Sequence, residues 1–199
     1  SLQASDLVHN AKFSSDGAYF AHATFNGSEA VVVYKVQMTE RLNLKRCFSF
    51  TNCSKSMKIK GIHFTKDNRF IALAYACSIS SFAHNKTPTI ALSIHEFDVS
   101  NGSIGGLISK VEKVGVYVED IAFICNDHAL VASSQGDDAL FIYPFDHKTG
   151  RLDVQYTLVQ NPDAQLSFPH GMSVSQDGKY LAVTNYGDDK FNLYQINNR

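Results

Sequence analysis

The chain contains no tryptophan, only four prolines and four cysteines in 199 residues, and no marked excess of either charge. Its formal net charge is −1, so no general electrostatic field favours nucleic acid or an anionic membrane surface as a partner. No apolar run approaches the roughly 20 residues that a transmembrane helix requires. No segment combines a 3.6-residue apolar period with helix-capping residues. These absences predict an all-β chain that binds neither nucleic acid nor a membrane.

The cysteines also lack a functional pattern. Cys47, Cys53, Cys77 and Cys125 do not have the spacing of a metal site. Free thiols in a reducing compartment are the simpler interpretation, and a disulfide framework is the alternative. The free thiols favour a cytoplasmic location. The amino-terminal residues show no signal-peptide pattern, and secretion is the alternative if the amino terminus has been trimmed.

Four segments share one order of short strands and tight turns. Asp16, Asp67, Asn126 and Asp177 occupy the same place in the first turn, in steps of roughly 50 to 60 residues. A repeat of this length built from short strands is typical of a β-propeller, because one small sheet cannot bury both of its faces. We predict a single domain of about four blades of four antiparallel strands. The blades cover approximately residues 7–55, 56–114, 115–165 and 166–199, and the last one lacks its fourth strand.

The second repeat carries the largest departure from this pattern. Residues 77–88, with the sequence CSISSFAHNKTP, extend the connection between its second and third strands. Long loops in compact folds are often functional, and His84 and Lys86 could reach over the channel mouth as a lid that binds substrate. A surface insertion without a role is the alternative. Further on, Asn101-Gly102 is a hairpin signal before a strand predicted at Leu107–Val114.

The fourth repeat resembles a known family. Its sequence FPHGMSVSQDGKYLAVTNYGDDKFNLYQI, preceded by DHKTGRL, is similar to the lactonase family of seven-bladed β-propellers. That family includes 6-phosphogluconolactonase-like and carboxymuconate-cyclising enzymes. The resemblance covers all four repeats and implies a propeller fold and lactone chemistry. The chain is about half as long as a seven-bladed ring requires, so a missing half, a second copy in a homodimer, or closure by four blades alone would complete it.

Four ionisable side chains occupy equivalent positions before the innermost strands. They stand four residues before Phe13, Phe64, Phe123 and Val174, and they are His9, Lys60, Glu119 and His170. The first strand of each propeller blade lines the central channel, so these groups are expected to meet at its top face. We predict them as catalytic residues: histidine as general base, lysine for an anionic substrate or an oxyanion, glutamate as orienting group or base. The alternative is that four loop residues simply face solvent.

Acidic turns are expected on the same face. Gly136-Asp137-Asp138 and Gly187-Asp188-Asp189 connect second and third strands, and we predict that Asp137 and Asp188 bind substrate. Calcium could bind such carboxylates, but turn chemistry explains Gly and Asp without it. A transition-metal site of His9, Glu119 and His170 is chemically sensible, yet nothing in the spacing demands it. We therefore predict no cofactor and no metal.

Two functions remain open from the sequence. The first is hydrolysis of a small sugar lactone. The second is a non-catalytic propeller scaffold that binds a protein or a glycan on its top face, because propellers support both functions. Tyr34, Tyr143 and Tyr194 share one place in the third strand, which indicates packing between blades.

Overall fold

A computed structural model of the chain describes residues 8–24, 29–38, 42–50, 57–77, 90–160 and 164–197. These residues form β-strands and turns without any helix, which confirms the all-β prediction. The strands make four antiparallel sheets arranged as a four-blade β-propeller. Within the described ranges, no helix is long and apolar enough to cross a bilayer.

Each blade is a meander of consecutive strands, numbered here from the channel outwards. Blade one contains β1 (Val8–Phe13), β2 (Tyr19–Thr24), β3 (Val31–Met38) and β4 (Leu42–Phe50). Blade two contains β5 (Met57–Phe64), β6 (Phe70–Cys77), β7 (Leu92–Asp98) and β8 (Ser103–Val111). Blade three contains β9 (Val118–Ile124), β10 (Ala129–Ser134), β11 (Ala139–Asp146), β12 (Arg151–Leu152) and β13 (Thr157–Gln160). Blade four contains β14 (Pro169–Val174), β15 (Tyr180–Asn185) and β16 (Lys190–Gln195).

The first turn of a blade repeats one hydrogen-bond pattern. Hydroxyls donate to the aspartate two residues later at 2.6, 2.8 and 2.7 Å in the pairs Ser14–Asp16, Thr65–Asp67 and Ser175–Asp177. The residue after each aspartate has a positive φ, which explains Gly17 and Gly178 there. Blade three departs from this pattern, because Asn126 and both its neighbours have positive φ values.

Apolar side chains fill the three interfaces between neighbouring blades. Val31 and Val33 of blade one pack with Ile71 and Leu73 of blade two. Equivalent clusters lie between blades two and three, around Leu92, Ile94 and Leu130, and between blades three and four, around Leu140, Leu181 and Val183. Because successive strand residues point to opposite faces, one set packs on the preceding blade and the other on the next. Tyr143 is fully buried in such an interface, as the repeated tyrosine position predicts.

His63 links stability to pH at the lower end of the channel. Its Nδ1 donates to the Phe64 carbonyl at 3.0 Å, and its ring lies 5.9 Å from that of Phe123. Burial, with the nearby charge of Lys12 as a smaller cause, lowers its pKa to about 4. Between pH 6.5 and 4 the unfolded imidazole therefore binds a proton that the folded one does not, so stability falls as the pH falls.

We expect His63→Gln to remove part of this dependence. The loss of unfolding free energy between pH 7 and pH 4.5 should shrink by on the order of 2 kcal/mol, measured by urea unfolding. His128→Gln, which changes an exposed histidine, is the control and should retain the wild-type loss. An identical loss in the His63 variant would contradict the prediction.

Candidate active site at the channel mouth

The structure brings together the four ionisable residues predicted at the strand starts. His9 lies on β1, Lys60 on β5, Glu119 on β9 and His170 on β14. The Glu119 carboxylate is their centre. Lys60 Nζ donates to it at 2.9 and 3.2 Å, and the Nε2 atoms of both histidines lie 3.5 Å from its Oε2. One residue from every blade therefore contributes to a single cluster.

Irregular strand pairing orients these side chains. The β1–β2 register shifts at His9, the β5–β6 register shifts at Lys60, and the β14–β15 register shifts between Pro169 and Met172, around His170. In blade three the shift lies in β9 itself, where Glu119 and Asp120 together oppose Ser133 of β10. A bulge re-aims a side chain that would otherwise follow the strict alternation of a strand. The same device thus recurs at each of the four positions.

Gly61 allows the lysine to approach the glutamate. A Cβ on Gly61 would lie 3.0 Å from both the Cγ1 and the backbone nitrogen of Ile121 on β9. That separation is closer than an ordinary carbon contact, so a side chain here would push β5 away from β9. The close approach places Lys60 directly against Glu119.

Lys60 and Glu119 form a buried ion pair. Their side chains are only 6% and 3% exposed. The Lys60 ammonium also lies 3.1 Å from His9 Nε2 and 5.0 Å from the centre of the Tyr117 ring. Both partners are removed from water, so the pair depends on hydrogen-bonding geometry to offset the cost of desolvation.

The two histidines differ in environment although both face Glu119. His9 Nδ1 lies 3.1 Å from the Lys60 carbonyl, which fixes Nδ1 as the donor and leaves the Nε2 lone pair towards the Lys60 ammonium. Burial and then the Lys60 charge lower the pKa of His9. The His170 side chain is 43% exposed, against 20% for His9. His170 is therefore the imidazole that water and a ligand reach.

Asp120 forms a second buried acidic centre that the sequence analysis missed. Its carboxylate accepts hydrogen bonds from Asn10 Nδ2 at 3.0 Å and from the Met172 amide at 2.8 Å, so it connects blades one, three and four. Burial raises the pKa of this carboxyl group. The signal in the sequence was a second acid beside Glu119 in an otherwise apolar strand.

The cluster contains a set of atoms that could bind a metal ion. One ligand atom each from His9, Glu119 and His170 lies within 4.8 Å of the others. Two imidazoles and one carboxylate are a common donor set for zinc or iron. The Lys60 ammonium, however, already lies 3.1 to 3.2 Å from His9 Nε2 and Glu119 Oε2. A metal ion would have to displace this cation from two of the three atoms.

The other site residues predicted from the sequence either make local contacts or lie outside the residues that the structure describes. Asp137 accepts hydrogen bonds from the Val116 amide at 2.7 Å and from the Ser134 hydroxyl at 2.5 Å. Asp188 Oδ2 lies 3.3 Å from Lys190 Nζ. These contacts are typical of turns, and substrate binding by the two aspartates stays a prediction. His84 and Lys86 lie outside the described residues.

Comparison with known families agrees with this architecture. A model of the seven-bladed β-propeller lactonases matches residues 1–199. The chain belongs to the lactonase family. No curated protein matches this lactonase-family chain significantly.

Solved structures share its fold at low sequence identity. The periplasmic gluconolactonase of Pseudomonas aeruginosa is 15% identical with a TM-score of 0.63, over 82% of this chain and 41% of that one. A candidate 6-phosphogluconolactonase from Bacteroides fragilis is 13% identical with a TM-score of 0.64, over 90% and 48%. The Swd1 propeller domain of Myceliophteria thermophila is 12% identical with a TM-score of 0.61, over 96% and 54%. The chain thus spans about half the length of these structures.

Removing one partner of the buried ion pair should destabilise the fold. Lys60→Met leaves Glu119 buried without its cation, and we expect a loss of about 3–5 kcal/mol in unfolding free energy. Lys60→Met combined with Glu119→Leu should recover much of that loss, because neither charge of the pair then remains. Urea unfolding of both variants measures the difference.

The exposed pair of Lys110 and Glu112 provides the matched control. Its side chains are 44% and 69% exposed. Lys110→Met should therefore cost less than about 1 kcal/mol. If both lysine variants lose the same unfolding free energy, burial does not explain the contribution of the Lys60–Glu119 pair to stability.

Proposed function

We propose that this chain hydrolyses a small sugar lactone at the channel mouth. The observation that carries the proposal is the contact of one buried carboxylate, Glu119, with two imidazoles of different exposure. Membership of the lactonase family and the fold shared with a gluconolactonase support it. The coupled groups offer a base and an orienting acid, which are the parts that ester hydrolysis needs.

His170 acts as the general base in this proposal. It takes a proton from a water molecule whose oxygen attacks the lactone carbonyl carbon. Glu119, 3.5 Å from His170 Nε2, stabilises the imidazolium that forms. Collapse of the tetrahedral intermediate breaks the ring C–O bond, and the proton returns to the departing alkoxide. The product is the open-chain hydroxy acid.

Lys60 serves as a positioning residue. Its ammonium is directed to Glu119 and His9 and is 6% exposed at the side chain, so its charge is neutralised inside the protein. A phosphate or carboxylate on the substrate would have to compete with Glu119 for this cation. We therefore expect a neutral sugar lactone to be a better substrate than a phosphorylated one.

A specific observation also favours carbohydrate binding without catalysis. The Tyr186 side chain is exposed, at 75%, and its ring centre lies 6.3 Å from that of His170. An exposed aromatic ring beside hydrogen-bonding groups is a suitable surface for a sugar. This second function uses the same site at the channel mouth but requires no proton transfer.

We expect the purified chain to accelerate opening of a neutral gluconolactone above the rate in buffer, followed as acid release in a pH-stat. His170→Ala should lower the enzymatic rate by roughly a hundredfold or more, because the general base is lost. His147→Ala, a histidine on the β11–β12 hairpin, is the control and should keep the wild-type rate.

The two functions predict different results for the same samples. If the lactone opens no faster than in buffer, the hydrolase proposal fails. Ligand-observed NMR with the corresponding sugar acid then tests the binding role. Tyr186→Ala should abolish that binding, and an unchanged signal would remove the tyrosine from the site.

A further inference from the structure

His170 lies in a bulge of blade four that two side chains of blade three hold by its backbone. The β14–β15 ladder skips His170 and Gly171. Before the glycine, the His170 carbonyl accepts a hydrogen bond from the Ser133 hydroxyl at 3.2 Å. After it, the Met172 amide donates to Asp120 Oδ2 at 2.8 Å. The bulge is therefore fastened to blade three on both sides of Gly171.

Asp120 and Ser133 belong to the matching bulge of blade three. Glu119 and Asp120 together oppose Ser133 in the β9–β10 pairing, and the Asp120 amide donates to Ser133 Oγ at 3.0 Å. The side chains of Asp120 and Ser133 are buried, since the residues are only 4% and 0% exposed. A buried polar network whose members are hydrogen-bonded is held in one arrangement. The irregular segments of β9 and β14 are thus joined by buried hydrogen bonds.

The imidazole of His170 depends on this backbone for its orientation. Its Nε2 lies 3.5 Å from Glu119 Oε2, which is longer than the about 2.7–3.2 Å of an ordinary N–H···O hydrogen bond. The centres of the His9 and Tyr186 rings lie 5.9 and 6.3 Å from that of His170. The side chain is also 43% exposed. The position of the bulge therefore decides where the ring points.

We propose that Asp120, together with Ser133, positions His170 against Glu119 by holding the β14 bulge. This role rests on the hydrolysis proposed above, in which His170 takes a proton from water. A general base must stay within hydrogen-bonding reach of that water, and a displacement of about 1 Å can lower a rate by roughly a hundredfold. Asp120 is a positioning residue and not a catalytic one, because its buried carboxylate contacts protein groups and not the substrate.

Asp120→Asn tests the contact with little change in side-chain volume. The carboxylate Oδ1 accepts hydrogen bonds from Asn10 Nδ2 and from the Ile121 amide, whereas Oδ2 accepts from the Met172 amide. The asparagine carbonyl is better placed on the side with two donors, so the new NH2 group faces the Met172 N–H. The variant should therefore release the β14 bulge while it keeps the contact to blade one.

For a neutral gluconolactone, we expect kcat of Asp120→Asn to fall roughly tenfold or more, with KM nearly unchanged. Asp127→Asn is the matched control, because the Asp127 carboxylate accepts a hydrogen bond from the Lys66 amide of the neighbouring blade at the lower end of the channel. The control should keep the wild-type kcat. Melting curves check that each variant is folded at the assay temperature. Equal kcat values in the two variants would overturn the proposal.

NMR separates failure of this proposal from failure of the hydrolysis. In Asp120→Asn the Met172 amide should exchange with solvent roughly tenfold faster or more, while the Ile121 amide keeps its wild-type protection. The ring signals of His170 should shift in this variant and stay unchanged in Asp127→Asn. A wild type without lactonase activity would refute the hydrolysis alone, whereas unchanged His170 signals in Asp120→Asn would refute the positioning role.

Ser133→Ala decides the question if Asp120→Asn does not fold. It removes the hydroxyl that donates to the His170 carbonyl and leaves both acids in place. We expect a lower kcat at unchanged KM, together with shifted ring signals of His170. Wild-type kcat and wild-type His170 signals in Ser133→Ala would contradict the proposal.

Discussion

The buried carboxylate of Glu119 is the constraint on which the centre of this propeller depends. A charge that is 3% exposed needs compensating partners, because desolvation of an ion costs several kcal/mol. The partners come from the other three blades: an ammonium from β5 and imidazoles from β1 and β14. Each inner strand must therefore lie within hydrogen-bonding reach of β9. Apolar packing further out provides most of the stabilisation, while the ion cluster decides how the inner strands are placed.

Asp120 extends the constraint along the channel. Adjacent residues in a regular strand point to opposite faces, yet Glu119 and Asp120 both contact blade four, Glu119 at His170 and Asp120 at the Met172 amide. The irregular pairing of β9 with β10 makes this possible. The two acids are compensated differently: Glu119 faces an ammonium, whereas Asp120 faces an amide side chain and backbone N–H groups, and burial raises its pKa. The centre of the propeller thus contains two buried acidic side chains with different hydrogen-bonding partners.

Much of this arrangement followed from the turn alignment. Asp16, Asp67 and Asp177 make equivalent turns, and a common register is sufficient to bring His9, Lys60, Glu119 and His170 together. The bulges at these residues were not predictable, because a register shift depends on the partner strand and leaves no local signature. The predicted start of β8 was wrong for a local reason. β8 begins at Ser103 and not at Leu107, since Gly102, with φ of 79°, closes the hairpin directly before it.

The fold does not choose between catalysis and binding, since a Swd1 propeller domain and a gluconolactonase resemble this chain to similar degrees. The buried groups at the centre of the propeller bear on the hydrolysis that we propose. For stability alone, apolar residues of similar volume would often serve at least as well as the buried lysine and glutamate. The hydrolysis that we propose uses such groups, because they lower the pKa of the His9 imidazole and leave the His170 imidazole exposed beside a carboxylate. The difference in exposure between His9 and His170 is therefore the feature on which the proposed hydrolysis depends.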